Sequence, residues 1–170
     1  MAELKDLIVN GVDLEAKVNE LNTNMSHIGD YIGLTLSSNY TIQSQNVYEK
    51  LPMTLFTGTT YAGDTFQYNS DGSITILRDC VVLITGQAYF AIGFTDNDWL
   101  CACVCINGSY ATRGGATIHD TSPYMSLGST YIGFRNAGDI VDLRVLNETG
   151  ARGIIGNANT STFLRLVALT

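Results

Sequence analysis

The chain has 170 residues, 45% of them hydrophobic and 15% charged, with two prolines and a formal net charge of −7. That is enough apolar material for a packed core, and the many Thr, Ser, Asn and Gly residues suit a compact β protein rather than a disordered one. The acidic balance without a basic patch argues against nucleic acid or anionic membrane as a partner; the longest apolar run, Trp99–Ile106, is too short to cross a bilayer, and no basic start with a hydrophobic stretch suggests a signal peptide.

Over the first 32 positions apolar residues return at alternating spacings of three and four: Leu4, Leu7, Leu14, Val18, Leu21, Met25, Ile28 and Ile32, interrupted at Gly11. On a helix this draws one narrow apolar seam, which is buried only against the same seam of another chain. Residues 1–33 are therefore expected to form a helical coiled-coil stem, whose mixed a and d positions leave two strands and three strands both open. Asn10-Gly11 marks an interruption, Asp13 offers a cap for a second helix to about Ile28, and Gly29 and Gly33 stop it. Asn is a poor helix former, so the stem is marginal alone and needs the rest of the chain to help hold the copies together.

After Leu36 the period changes to two. Apolar-alternating runs at Met53–Phe56, Thr65–Tyr68, Ser73–Leu77, Val81–Thr85, Ala88–Phe94, Trp99–Ile106, Thr130–Phe134, Ile140–Leu146 and Phe163–Leu169 read as strands. Asp71-Gly72, Asn97-Asp98 and Asn107-Gly108 sit where tight turns belong. Residues 34–170 are thus one mainly β domain, a sandwich or jelly roll. Trp99–Ile106 is apolar on both faces: Trp99, Cys101, Cys103 and Cys105 on one, Leu100, Ala102, Val104 and Ile106 on the other. A two-sheet sandwich buries one face of each strand, so the second face calls for another subunit, or else for a buried crossover within the chain. The four cysteines lack paired metal-ligand spacing and read as free buried thiols of a protein made in a reducing cytosol.

Four stretches, Phe66-Gln-Tyr-Asn-Ser-Asp-Gly-Ser-Ile-Thr-Ile76, Thr85-Gly-Gln-Ala-Tyr-Phe-Ala-Ile92, the run Tyr131–Val145 with its Gly-Asp turn, and Ser161–Leu169, resemble the globular domain of the complement-type and tumour necrosis factor-like family. The resemblance is one of pattern rather than identity. It implies a ten-strand jelly roll, a tight homotrimer, and a role in binding rather than catalysis. A short coiled coil feeding such a head, with neither a collagen-like stalk nor a disulfide framework, looks like a bacteriophage fibre or receptor-binding protein made in the host cytoplasm and displayed on the virion.

A phage receptor-binding head implies a host surface saccharide as ligand and other virion proteins as partners of the stem. The candidate saccharide residues form two clusters. Asp96, Asp98 and Trp99 combine hydrogen-bonding carboxylates with an indole that can stack on a sugar ring; the alternative is a plain turn followed by a core Trp. His119, Asp120 and Tyr124 lie in the polar segment Thr117–Ser129, and Tyr61, Asp64, Tyr110 and Arg113 are further loop candidates. The His-Asp pair has no activated Ser or Cys motif beside it, so a hydrolase is not expected, nor is a metal or cofactor. Two other readings stay open: a structural or decorative fibre without a specific ligand, and a bacterial surface adhesion module.

Overall fold

A computed structural model of the chain describes residues 8–9, 12–25, 27–56, 63–91, 99–117, 124–148, 153–156 and 161–170. The single helix among them, α1 (Leu14–Met25), carries Leu14, Val18, Leu21 and Met25 of the seam. The rest of the expected stem is not a continuous helix. Ahead of α1, β1 (Ile8–Val9) and β2 (Val12–Asp13) pair antiparallel. After α1, His27–Gly29 turn, with Gly29 at φ 90°, which leaves Ile28 off the helix and 53% exposed. Leu4 and Leu7 lie outside the described residues. Ile32 belongs to β3 (Tyr31–Thr35) and is 1% exposed in the core. Its period fits the seam, but Tyr31-Ile-Gly-Leu-Thr alternates equally well as a strand, and burial in a sheet decides between them. The head therefore begins near Asp30, a few residues before the expected boundary.

The remaining strands follow in order: β4 (Tyr40–Thr41), β5 (Glu49–Lys50), β6 (Thr54–Leu55), β7 (Phe66–Tyr68), β8 (Ile74–Ile76), β9 (Cys80–Ala91), β10 (Trp99–Ile106), β11 (Ser109–Thr117), β12 (Tyr124–Arg135), β13 (Ile140–Asn147), β14 (Gly153–Ile154) and β15 (Phe163–Ala168). They make two antiparallel sheets. Sheet I holds β9 at its centre, β12 along one side, β15 and β14 along the other, then β3, β4 and β6; sheet II runs β11-β10-β13-β8-β7, with β5 also on β13. Among the described residues the sheets comprise nine strands of three or more residues and four two-residue pieces.

The core lies between the sheets and takes every second residue of the long strands. On β9 Val82, Ile84, Ala88 and Phe90 point inward; on β13 Val141, Leu143 and Val145 do so, as the alternation of Asp139–Leu146 predicts. The runs Val81–Thr85 and Ala88–Phe94, expected as separate strands, join through Ala91 as β9. Gly86 is no turn: it faces inward beneath Leu143, whose Cδ1 would lie 2.7 Å from a β-carbon there. The Asn107-Gly108 turn is as expected, with both residues at positive φ (52° and 79°), the geometry of a two-residue hairpin. β11 escapes a periodicity reading because Ser, Thr, Gly and Ala fill it and it is the edge of sheet II.

Both faces of β10 are buried, but no second subunit is needed for this. Cys101, Cys103 and Cys105 form a small second core with Leu146, and the chain's own Tyr48 and Trp99 pack over it. The crossover 42–50, not a partner, covers the second face. Glu49 organises that crossover: Tyr40 donates to one carboxylate oxygen, and the amides of Gln43 and Ser44 donate to the other at 2.9 and 3.0 Å. Burial pushes the Cys101 thiol above its ordinary pKa, and the hydrogen bond between Cys103 and Cys105, with sulfurs 3.1 Å apart, pushes Cys103 up as well. All four cysteines are free and buried. They are expected to resist iodoacetamide in the native protein and to react on unfolding, and Cys103→Ser is expected to cost about 1–3 kcal/mol. Rapid native labelling of Cys101, Cys103 or Cys105, read by mass spectrometry, would contradict this packing.

Candidate functional site

The strand registers place Trp99 and Tyr124, the described members of the two sequence clusters, at one end of the sandwich. β9 ends at Ala91 and β12 begins at Tyr124, and these residues are partners; β10 begins at Trp99 and β11 ends at Thr117, and these are partners too. Both connections, 92–98 and 118–123, therefore start and finish at the same end. Asp96, Asp98, His119 and Asp120 lie outside the described residues, as does Tyr61. Tyr124 is 47% exposed and stacks nearly parallel on Tyr89, centroids 5.7 Å apart. Trp99 is half-buried. Its ring lies over Gly115, where a β-carbon would come within 3.0 Å of Cζ2, and its backbone carbonyl accepts from Glu148 N at 3.3 Å. Trp99 thus serves the small thiol core while keeping an edge at the end of the sandwich.

Tyr110 and Arg113 stand on strand β11, not in a loop. Tyr110 is 60% exposed; its ring stacks on Tyr48 (6.0 Å, 30°), and the Arg113 guanidinium lies 5.5 Å from its centroid. Arg113 Nη1 also donates to Tyr48 Oη at 3.4 Å. Burial pushes the Tyr48 phenol above its ordinary pKa, against the opposing pull of Arg113. Sequence reasoning did not single out Tyr48, because nothing in Gln45-Asn-Val-Tyr48 signals that a crossover lays it on a sheet.

Asp64 belongs to a different structure, a polar knot at the start of the head. Arg78 donates to His27 Nε2 at 2.6 Å and to an Asp64 oxygen. Since a guanidinium only donates, Nε2 accepts and His27 Nδ1 carries the proton, 3.2 Å from the other Asp64 oxygen. Asp30, 8% exposed, accepts from Thr65 Oγ1 at 2.6 Å and from the amides of Asp64 and Thr65 at 3.2 and 3.3 Å. His27, Asp30 and Asp64 could converge on a cation, their ligand atoms lying within 4.8 Å of one another. Arg78 already engages His27 and Asp64, and Thr65 and the Asp64 amide engage one oxygen of Asp30, so we read the knot as a tie fixing residues 27–30 to the sandwich. Asp30→Ala leaves a buried hydroxyl and two amides without their acceptor, and is expected to cost about 1–3 kcal/mol; a chemical-denaturation midpoint equal to the parent's would refute it.

Two adjoining rows on the outer face of sheet I are apolar. Registers place Tyr31, Val167, Leu83 and Ile132 in one row across β3, β15, β9 and β12, with Val81 beside Phe134 in the next. Ile132 is 63% and Phe134 57% exposed. A groove of ≈270 Å³ on this face is lined by Tyr31, Gly33, Thr35, Phe56, Phe163 and Arg165.

No family model and no curated protein matches the sequence. Solved structures do match the fold. The Eiger tumour necrosis factor of S. frugiperda superimposes with a TM-score of 0.59 at 16% identity, over 83% of this chain and 94% of that one. Murine APRIL, crystallised at pH 5.0, superimposes with a TM-score of 0.62 at 13% identity, over 83% of this chain and 99% of that one. The head is a tumour necrosis factor-like jelly roll. Identities this low carry the architecture alone, so the TNF-like head shares a way of packing two sheets with these proteins, and its chemistry has to be read from its own residues.

Proposed function

We propose that the chain is a homotrimeric binding module, not an enzyme: the receptor-binding head of a bacteriophage fibre, made in the host cytoplasm and carried on the virion. Its stem faces other virion proteins and its head binds a host surface saccharide. The observation that carries the reading is that the stacked pair Tyr89–Tyr124 on sheet I and Trp99 on sheet II stand at the end of the sandwich from which connections 92–98 and 118–123 arise. Variable connections on a rigid scaffold are a common place for binding, and exposed aromatic rings suit the apolar faces of sugars.

Two features support the trimer. Ile132, Phe134, Leu83 and Val81 form an apolar patch on a sheet face that the single chain leaves open. On α1, Val18 and Leu21 are 39% and 58% exposed, as a seam awaiting identical copies would be. Three equivalent sites raise apparent affinity by roughly 10²–10⁴ over one when the target is multivalent.

The test is binding of the purified full chain to envelope polysaccharide fractions from candidate hosts, with alanine substitutions at Asp98, His119 and Tyr124. Tyr124→Ala is expected to weaken binding per site about three- to tenfold, the value of one lost stacking contact. A folded trimer that binds no envelope fraction would replace this reading with that of a decorative fibre.

A further inference from the structure

We propose that the outer face of sheet II carries an elongated ledge, formed by Trp99, Tyr48, Tyr110 and Arg113, that binds a carboxylate-bearing oligosaccharide. The inference rests on the saccharide reading above and gives that site a direction and a ligand class.

The registers set the ledge out in order. Along β10 and β11 the outward rows are Trp99 with Thr117, Cys101 with Gly115, Cys103 with Arg113, and Cys105 with Tyr110. Tyr48 lies over the thiols between the two ends, held to Arg113 and stacked on Tyr110. Six residues of strand separate the Trp99 row from the Tyr110 row, roughly 20 Å at about 3.3 Å per residue, room for several sugar rings in line. Gly115 leaves the row beside Trp99 without a side chain, and among the described residues β11 is the edge of its sheet.

The rings are held before any ligand arrives. Tyr110 is largely exposed, yet it is fixed by the Tyr48 stack and by Arg113, so ordering it on binding costs little. Arg113 supplies the selectivity. Among the described residues Lys17, Lys50, Arg78 and Arg144 each pair with a carboxylate, whereas Arg113, Arg135 and Arg165 lie against aromatic rings; of these three Arg113 is the one on the ledge, where it contacts the Tyr48 hydroxyl and the Tyr110 ring. Its planar fork matches a carboxylate in two parallel hydrogen bonds. A single cation on the ledge, within a chain of net charge −7, favours a sugar with an isolated carboxylate over a dense polyanion.

Trp99 is the chain's one tryptophan, so its fluorescence reports on the ledge directly. The full-length protein is titrated with trigalacturonate and with 3′-sialyllactose, which present the carboxylate on a uronate and on a sialate, and with the neutral methyl ester of each. At least one acid is expected to shift the Trp99 emission and to bind tenfold or more tighter than its ester. Arg113→Gln should bring that ratio close to one, and Arg113→Lys should restore part of it. Tyr110→Ala should weaken acid and ester alike by about tenfold. Both side chains are exposed, and unchanged melting curves will show that the variants fold. Equal affinity for acid and ester, or parental affinity in both Tyr110→Ala and Arg113→Gln, would overturn the ledge. If neither acid binds but an envelope polysaccharide does, and Tyr124→Ala weakens it, the ledge falls and the end site stands. If no saccharide binds at all, both fall.

Discussion

Replacing Ile132 and Phe134 together by glutamate is expected to turn the proposed trimer into folded monomers. Both side chains point away from the core of sheet I, 63% and 57% exposed, beside Leu83 and Val81 of β9. Neither takes part in the packing between the sheets, so the isolated chain tolerates polar replacements at little cost. In an assembly that closes on this face, each copy would bury two unpaired carboxylates. An unpaired buried charge costs several kcal/mol, about 3–5 kcal/mol where one partner of a buried pair is removed, and three copies share the same defect. Association should weaken by many orders of magnitude. Light scattering should report one chain, while far-UV circular dichroism and the melting transition remain those of a folded β protein. A double variant that stays trimeric at micromolar concentration would move the interface away from sheet I. Removing residues 1–29 is the complementary experiment: the head should remain trimeric with a lower melting temperature, since α1 is short and rich in Asn.

The second large effect is expected at Gly114. Here β11 of sheet II meets β12 of sheet I and closes one edge of the sandwich. A β-carbon on residue 114 would stand 1.9 Å from the carbonyl oxygen of Gly128 and 3.0 Å from its carbonyl carbon. The obstacle is backbone, held in the β9 ladder where Gly128 pairs with Gln87, so no side-chain rotation relieves it. Overpacking typically costs about 1–3 kcal/mol, and Gly114→Ala should reach or exceed the top of that range because a whole strand must shift; Gly114→Val should leave little folded protein. Gly128→Ala is the control. Its β-carbon would meet the carbonyl oxygen of Gly86 at 3.6 Å, an ordinary contact, and stability should change little. Denaturant midpoints measured side by side decide the matter, and a Gly114→Ala midpoint matching that of Gly128→Ala would show that the edge opens without cost.

The candidate sites were only partly readable in advance. Trp99 and Tyr124 are legible from their neighbours, while their position at the same end follows from register, which a list of strands does not supply. Tyr110 and Arg113 read from sequence as loop residues, because a strand of Ser, Thr, Gly and Ala has no apolar rhythm. Tyr48 gave no signal. The apolar rows on the outer face of sheet I did give one. Cys80-Val-Val-Leu-Ile84 is as apolar on both faces as Trp99–Ile106, and Tyr131-Ile-Gly-Phe134 adds two outward apolar residues, so the two-faced argument applied to β10 holds equally well for β9 and β12.

Alternation along the chain was sufficient to establish a mainly β head, the inward set of β13, the hairpin at Asn107-Gly108 and the burial of both faces of β10. Each is a local property: a period of two, or a turn that needs positive φ, leaves its mark within a few residues. What covers a face is not local. Tyr48 reaches Cys101 and Cys103 across more than fifty positions, Gly114 meets Gly128 across the gap between sheets, and Ile32 leaves a helical seam because β15 offers it a ladder and a core. Periodicity reports that a side chain must leave water. Which segment takes the place of that water is settled by packing between distant parts of the chain, and that packing moved the candidate trimer face from β10 to sheet I.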